Sequence, residues 1–124
     1  MKEILKILNK ELKTNLKLNY CLIEYDKSEV KYPYLIGTYI EDNNTNEDNR
    51  KSGEFILSAF TKNKLLELEN VADNIQEHFK FFSTDIDNSV ISIEYDRRQP
   101  VDTNDKKIKR LDIYLKYIKW KGVN

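Results

Sequence analysis

Hydrophobic and charged residues alternate strictly near the C-terminal end of the chain. Between residues 110 and 117, the apolar positions are Leu111, Ile113, Leu115 and Tyr117, and the charged positions are Arg110, Asp112 and Lys116. Successive side chains of a strand point to opposite faces, so this pattern predicts a half-buried antiparallel strand over 108–120. A strand over 90–95 carries a matching apolar face, and a polar loop over 100–105 joins the two strands into a hairpin.

A helical period appears between residues 64 and 80. Apolar residues recur there at intervals of three and four: Leu65, Leu68, Ala72, Ile75 and Phe79. This spacing predicts an amphipathic helix. Thr61 and Asn63 precede it, and their side chains are of the kind that accepts hydrogen bonds from the free amides of a first helical turn. Residues 2–13 predict a second, shorter helix with one apolar stripe.

The middle of the chain predicts another hairpin. Strands over 34–40 and 53–61 are rich in β-favouring residues, and a polar loop over 41–51 separates them. Pro33 is expected to open the first strand, because proline cannot donate to a ladder. Gly37 indicates a bulge or a close backbone approach. Two interpretations stay open for the stretch 16–29: it contains a short strand at 22–25, or it is irregular throughout.

These elements predict one α+β domain spanning residues 1–124. Its architecture is an antiparallel sheet of about four strands with two helices packed on one face, because the helix stripes must bury against the apolar strand faces. The chain has 124 residues, of which 40% are hydrophobic and 34% are charged, as in an ordinary folded domain.

The charge balance and the cysteine content limit the classes of partner and the compartment that we expect for this chain. The chain has 21 basic and 21 acidic residues, and this balance argues against broad capture of a nucleic-acid backbone. The basic cluster at 106–110 is interpreted as a solvated strand start. Cys21 is the one cysteine, so no intrachain disulfide forms, which fits a reducing compartment. No apolar run is long enough to cross a bilayer, and we expect no membrane partner.

Residues with catalytic potential are isolated. His78 is the one histidine, and no nucleophile with an orienting partner accompanies it in the sequence. Two aspartate pairs have the spacing of metal ligands but lack the further oxygen ligands and the glycine of a calcium loop, so they are interpreted as turn residues: Asp85 with Asp87, and Asp102 with Asp105. We expect no catalytic residue, no cofactor and no metal.

The loop over 41–51 concentrates charge at one hairpin tip. It carries Glu41, Asp42, Glu47 and Asp48 ahead of Arg50 and Lys51. Two interpretations stay open, a solvated tip or an arm that becomes ordered on meeting a neighbouring subunit or a partner. Six tyrosines exceed what so small a core accommodates: Tyr32, Tyr34, Tyr39, Tyr95, Tyr114 and Tyr117. Tyrosine is enriched at interfaces, which favours an oligomer.

The order of elements resembles a known family. The residues that carry the resemblance are the run Tyr-Pro-Tyr-Leu-Ile-Gly at 32–37, the strand at 53–60, the Arg-x-Pro-x-Asp arrangement at 98–102 and the final strand at 109–121. Taken together with the N-terminal helix, the chain resembles the tail terminator (tail completion) proteins of bacteriophages and prophages of Gram-positive bacteria.

The resemblance implies a structural role in the virion. Such proteins are small α+β subunits that form a hexameric ring, which caps the tail tube, stops its polymerisation and docks to the head connector while DNA passes through without specific binding. The location implied is the head-proximal end of the tail, after assembly in the host cytoplasm. The charged loop is then expected at the lumen or at a ring contact, and the expected subunit-interface residues are Tyr34, Tyr39, Tyr114, Arg97, Arg98 and Asp102.

Two other functions are weighed beside this one. The first is a small non-enzymatic adaptor of a prophage or mobile element, which binds one protein partner as a monomer or dimer. The second is an enzyme acting on a small polar substrate, which requires a concave pocket with perturbed titratable residues. The sequence supplies no such set of residues.

Overall fold

The computed structural model describes residues 1–42 and 50–121. This part of the chain forms two helices and six strands: α1 (Lys2–Asn9), β1 (Tyr20–Leu22), β2 (Tyr34–Glu41), β3 (Arg50–Thr61), α2 (Leu65–His78), β4 (Phe82–Ile86), β5 (Ser89–Val101) and β6 (Lys109–Lys121). Helix α1 continues into a π-helical segment, Lys10–Asn15. The predicted α+β class is confirmed.

The strands form one sheet in the order β1-β2-β3-β6-β5-β4. Neighbours pair antiparallel except β1 and β2, which are parallel. The prediction of about four antiparallel strands is therefore wrong in its detail. The two additional strands lie at the sheet edges, and with three and five residues they are too short to show a clear period.

Both helices pack on one face of the sheet, called here the helix face. The apolar stripe of α2 meets the odd-numbered residues of β3 and β6, and one continuous core results. Each fully buried leucine or isoleucine in such a core contributes roughly 1.5–3 kcal/mol. The side chains from the helices and from these two central strands that are fully shielded from solvent are Leu8, Leu12, Leu68, Ala72, Ile75, Phe55, Leu57, Ala59, Leu111, Ile113 and Leu115.

The start of α2 differs from the prediction. Lys64 occupies the N-cap position, and no side chain caps the helix there. Thr61 and Asn63 bind the Glu67 carboxylate instead, through Thr61 Oγ1 to Oε1 at 2.7 Å and Asn63 Nδ2 to Oε2 at 3.0 Å. The Thr61 hydroxyl also accepts a hydrogen bond from the Asn63 amide at 3.1 Å, so these side chains order the turn before the helix and do not cap its first amides.

Gly37 marks a close approach and not a bulge. The pairing of β2 with β3 runs without a register shift from Tyr34 to Glu41. A Cβ atom at Gly37 would lie 2.5 Å from the Phe55 ring and 2.8 Å from the Tyr20 ring. Glycine is needed there because two aromatic side chains cross directly over the backbone.

The hairpin of β5 and β6 is longer than predicted and contains a bulge. Strand β5 runs to Val101, so Pro100 belongs to the strand and not to the loop. The register shifts between Tyr95 and Arg97, so that Arg97 lies opposite Tyr114 and Arg98 lies opposite Ile113. The extra residue of a bulge reverses the alternation of side chains that follows it. The bulge consequently places Arg97 on the same face of the sheet as Tyr114, and Arg98 on the same face as Ile113.

Candidate interaction surface

The sheet face opposite the helices, called here the open face, carries no helix of the described residues. Its even-numbered positions on β2, β3 and β6 include apolar and aromatic side chains that are partly exposed: Tyr34, Ile36, Ile56, Phe60, Tyr114, Ile118 and Trp120. The register places several of them in adjacent strands, because Tyr34 lies opposite Phe60 and Ile56 lies opposite Tyr114. Polar residues such as Ser58 and Glu54 lie between them, and such a mixture of aromatic, apolar and polar side chains is typical of protein–protein interfaces.

Two arginines stack on the aromatic rings of the open face. The Arg97 guanidinium lies 4.0 Å from the centre of the Tyr114 ring, and that of Arg110 lies 5.6 Å from the Phe60 ring. Arg110 also binds the buried carboxylate of Asp112 through two hydrogen bonds, at 2.9 and 3.1 Å. Paired arginines among aromatic rings resemble the composition of protein–protein interfaces.

Arg98 lies on the helix face, bonded to α2. Its guanidinium donates to Glu69 Oε2 at 2.8 Å, to Asp73 Oδ1 at 2.9 Å and to Gln76 Oε1 at 2.7 Å. It also donates to the Tyr95 hydroxyl at 2.8 Å. Burial lowers the pKa of Arg98, but the hydrogen bonds to Tyr95, Glu69 and Asp73 outweigh it and raise the pKa. Arg98 therefore fastens the bulged strand to the helix.

The structure brings some of the predicted interface residues together and separates others. Tyr34, Tyr114 and Arg97 share the open face. Tyr39 points to the helix face of β2, where it is 39% exposed. Asp102 is exposed just after the end of β5. Tyr39, Asp102 and Arg98 thus lie away from that group, which the sequence did not indicate because the bulge and the strand lengths were unknown.

The charged loop residues that are described lie at the base of the first hairpin. Glu41 is the last residue of β2, Asp42 follows it, and Arg50 and Lys51 begin β3. Glu47 and Asp48 lie outside the described residues. The Asp42 carboxylate accepts a hydrogen bond from Ser52 Oγ at 2.7 Å, and the Asp42 amide donates to the Ser52 carbonyl at 3.0 Å. Ladder pairing thus continues one residue beyond β2.

A shallow depression of about 310 Å³ opens beside this hairpin base. Charged side chains of both signs line it: Asp42, Arg50, Glu54, Glu94 and Lys116. Tyr117 also lines the depression, and burial together with the negative charges of Glu41 and Asp42 raises its pKa to about 12. The alternation of acidic and basic groups leaves no strong field of one sign for a charged small ligand.

Sequence reasoning missed that the open face carries apolar and aromatic side chains among its polar ones. The alternation in β6 assigned Arg110, Asp112 and Lys116 to a solvated side of the strand. Tyr114, Ile118 and Trp120 share that side, so the same pattern already contained the information. Ile56 and Phe60 then extend the apolar surface across β3.

His78 has a structural environment. Its Nε2 lies 3.0 Å from Glu11 Oε1, and Asn15 Nδ2 donates to Glu11 Oε2 at 2.7 Å. This contact joins the end of α2 to the π-helical segment. Within residues 1–42 and 50–121, no cluster of three or more histidine, cysteine or acidic side chains is arranged to hold a metal ion. No described helix combines the length and apolarity required for a membrane span.

Comparisons with known proteins support the fold alone. No family model matches the sequence, and no curated protein matches it. Several solved structures are similar, and one of them matches over 100% of this chain and 99% of its own length, with a TM-score of 0.74 and 10% sequence identity. The name of that protein describes no function. At this identity, the likeness concerns the arrangement of the backbone.

Proposed function

We propose that the chain is a structural subunit that assembles with copies of itself into a ring and acts, like the phage tail terminators it resembles, at the end of a tail tube. The observation that carries the proposal is the open face. A monomer in water gains stability when its exposed apolar and aromatic side chains are covered. In a subunit that is stacked between other proteins of a virion, the neighbouring proteins cover these side chains.

The charges of the chain suit this role. In the proposal, DNA passes through the ring, and a lumen that held a strong net positive charge would retain the phosphate backbone. The chain has no net charge, and the sequence of the loop over 41–51 has four acidic residues against two basic ones, Arg50 and Lys51. We therefore propose that the loop over 41–51 faces the lumen or the adjoining ring and discourages DNA adhesion.

The open face is proposed to contact the tail tube protein or the head connector. Stacked arginine and aromatic side chains such as Arg97 with Tyr114 provide large, amphipathic contact area at low entropic cost. No covalent step is required of the subunit in this role. Its work is to present a surface of fixed shape at the tube end.

The proposal is tested with a purified tail tube protein that polymerises in solution. Added chain is expected to cap the tubes and shorten their length distribution in electron micrographs. Ile56→Glu places a charge on the open face and should abolish capping. Leu66→Glu, at a side chain 66% exposed on α2, is the matched control and should cap normally. Tubes of unchanged length with the folded wild-type chain would contradict the proposal.

The loop is tested separately. Deletion of residues 43–49 should leave the circular dichroism spectrum and the thermal midpoint of the chain close to wild type but impair the formation of infectious particles. Normal particles from the deletion would remove the loop from the proposal.

The open face also favours a second candidate function, an adaptor that binds one protein partner. In that case the surface is covered in a one-to-one complex, and no ring forms in solution or on the partner. Negative-stain images separate the two candidates, because a ring has a central opening and a one-to-one complex has none.

A further inference from the structure

Strand β2 is only partly covered on its outer side. The Leu35 amide donates to the Asn19 carbonyl at 2.8 Å, and the Ile23 amide donates to the Gly37 carbonyl at 2.8 Å. The odd-numbered residues of β2 therefore direct their backbone groups towards β1. By the same alternation, Tyr39 and Glu41 direct theirs outward, where no other strand of the described residues lies.

A strained backbone at Ile23 ends the pairing of β1 with the outer side of β2. Ile23 directly follows β1 and has a φ of 70°, which is unfavourable for a β-branched residue. The next amide, that of Glu24, donates to the Leu22 carbonyl at 2.8 Å in a tight turn. The chain thus leaves the sheet edge after three paired residues, although a longer β1 would have satisfied the remaining groups of β2.

Exposed apolar side chains surround the uncovered edge. Ile23 is 58% exposed, Ile40 is 56% exposed and Leu22 is 38% exposed. Natural proteins usually protect an unpaired edge with lysine, proline or a bulge. Within 38–41 none of these devices is present, and the edge has the properties of a site for an added strand.

The opposite end of the sheet also has an open edge, that of β4. Asp87 and Asn88 have positive φ values of 47° and 62° and form a two-residue turn between β4 and β5. The residues that flank such a turn, Ile86 and Ser89, are bonded to each other, so Ser83 directs its backbone groups outward. Phe81, immediately before β4, is 91% exposed.

We propose that the β2 edge at residues 38–41 of one copy pairs with the β4 edge of a second copy, in the antiparallel direction. Charge complementarity favours that direction. The free segment of β2 ends at Glu41 and Asp42, and β4 begins just after Lys80 and ends near Asp85. Antiparallel pairing brings Lys80 close to the two acidic residues, whereas parallel pairing brings Asp85 there.

This inference rests on the proposed function, for which it names the contact between neighbouring subunits. Two different edges meet, so the contact is heterologous, and its repetition closes into a ring or continues as a filament. A two-fold contact between identical edges would stop at a dimer.

Two proline variants test the inference. Tyr39→Pro and Ser83→Pro each remove an outward amide donor that the fold itself does not use, one at each edge. Asn104→Pro, in the exposed loop between β5 and β6, is the matched control. Circular dichroism verifies the folding of each variant. Ile40→Lys blocks the β2 edge without altering the backbone, and serves if a proline variant does not fold.

The mass of each variant in solution, measured by light scattering, distinguishes the outcomes. The wild type and Asn104→Pro should have the mass of a multimer, and each edge variant should fall to the monomer mass of 14.8 kDa. An equimolar mixture of Tyr39→Pro and Ser83→Pro should form dimers and nothing larger, because each retains one intact edge. Multimers of either variant alone would overturn this inference and leave the proposed function standing. A dimer of one variant alone would overturn the head-to-tail contact. A wild type that stays monomeric in solution would overturn this inference, and the proposed function falls with it if no ring forms with the tail tube protein either.

Discussion

Replacing Arg98 with alanine removes the group that joins the bulged strand β5 to helix α2. The Arg98 side chain is 17% exposed, and its guanidinium binds two carboxylates, one amide oxygen and one hydroxyl. Truncation removes the guanidinium that donates hydrogen bonds to these partners. Glu69, whose side chain is 35% exposed, is expected to lose the most stabilisation because it is partly buried.

The magnitude follows from the exposure of each partner. A hydrogen bond to a charged group contributes roughly 1.5–3 kcal/mol when shielded from water. The bond to Asp73, whose side chain is 68% exposed, adds less than about 1 kcal/mol because water replaces it readily. We expect Arg98→Ala to lower the free energy of unfolding by about 2–3 kcal/mol. Arg98→Lys keeps the charge but loses the fork geometry, and about half that cost is expected.

Arg97→Ala is the matched control. Arg97 is the adjacent residue of the same strand, its side chain is 53% exposed, and it contacts Asp96, Glu54 and the Tyr114 ring from the solvent side. Exposed ion pairs and cation–π contacts together contribute about 1 kcal/mol or less. Urea denaturation of the two variants gives both free energies. An Arg98→Ala cost equal to or below that of Arg97→Ala would refute the assignment of Arg98 to the interior junction.

Two further predictions concern stability. Gly37→Ala should cost about 1–3 kcal/mol in urea denaturation, because the added methyl group overlaps the Phe55 and Tyr20 rings, and a cost near zero would contradict the close approach. The pKa of Tyr117 is raised from 10.0 to about 12, so the unfolded chain loses this proton first, and stability should fall as the pH rises through that interval. Tyr117→Phe should lose less stability over the same interval in thermal melts, and an identical loss would show that other groups cause it.

The helices and central strands could be predicted from sequence because each has a long, clear period. Helix α2 and strand β6 contain enough turns or alternations for the buried side to be evident. Strand β1 has three residues and pairs with β2, which begins twelve residues further along the chain, so a local pattern does not show this pairing. Strand β4 pairs with the neighbouring β5 across the turn at Asp87 and Asn88, but its five residues are too few to show a clear period.

The candidate surface was predicted only in part for a related reason. Alternation assigns consecutive residues to opposite faces, but a single bulge reverses the assignment for everything that follows. The shift between Tyr95 and Arg97 separates Arg98 from the open face. Tyr114 and Tyr34, on strands without a bulge at these positions, lie on that face together, whereas Tyr117 is buried in the core.

Above all, the proposed function requires that copies of the chain assemble into a ring around a central axis. The most direct measurement is the mass of the purified wild-type chain by light scattering, combined with negative-stain images of the same sample. We expect a mass several times 14.8 kDa and closed rings with a central opening. A monomer mass at every concentration, with no ring in the images either alone or with the tail tube protein, would contradict it.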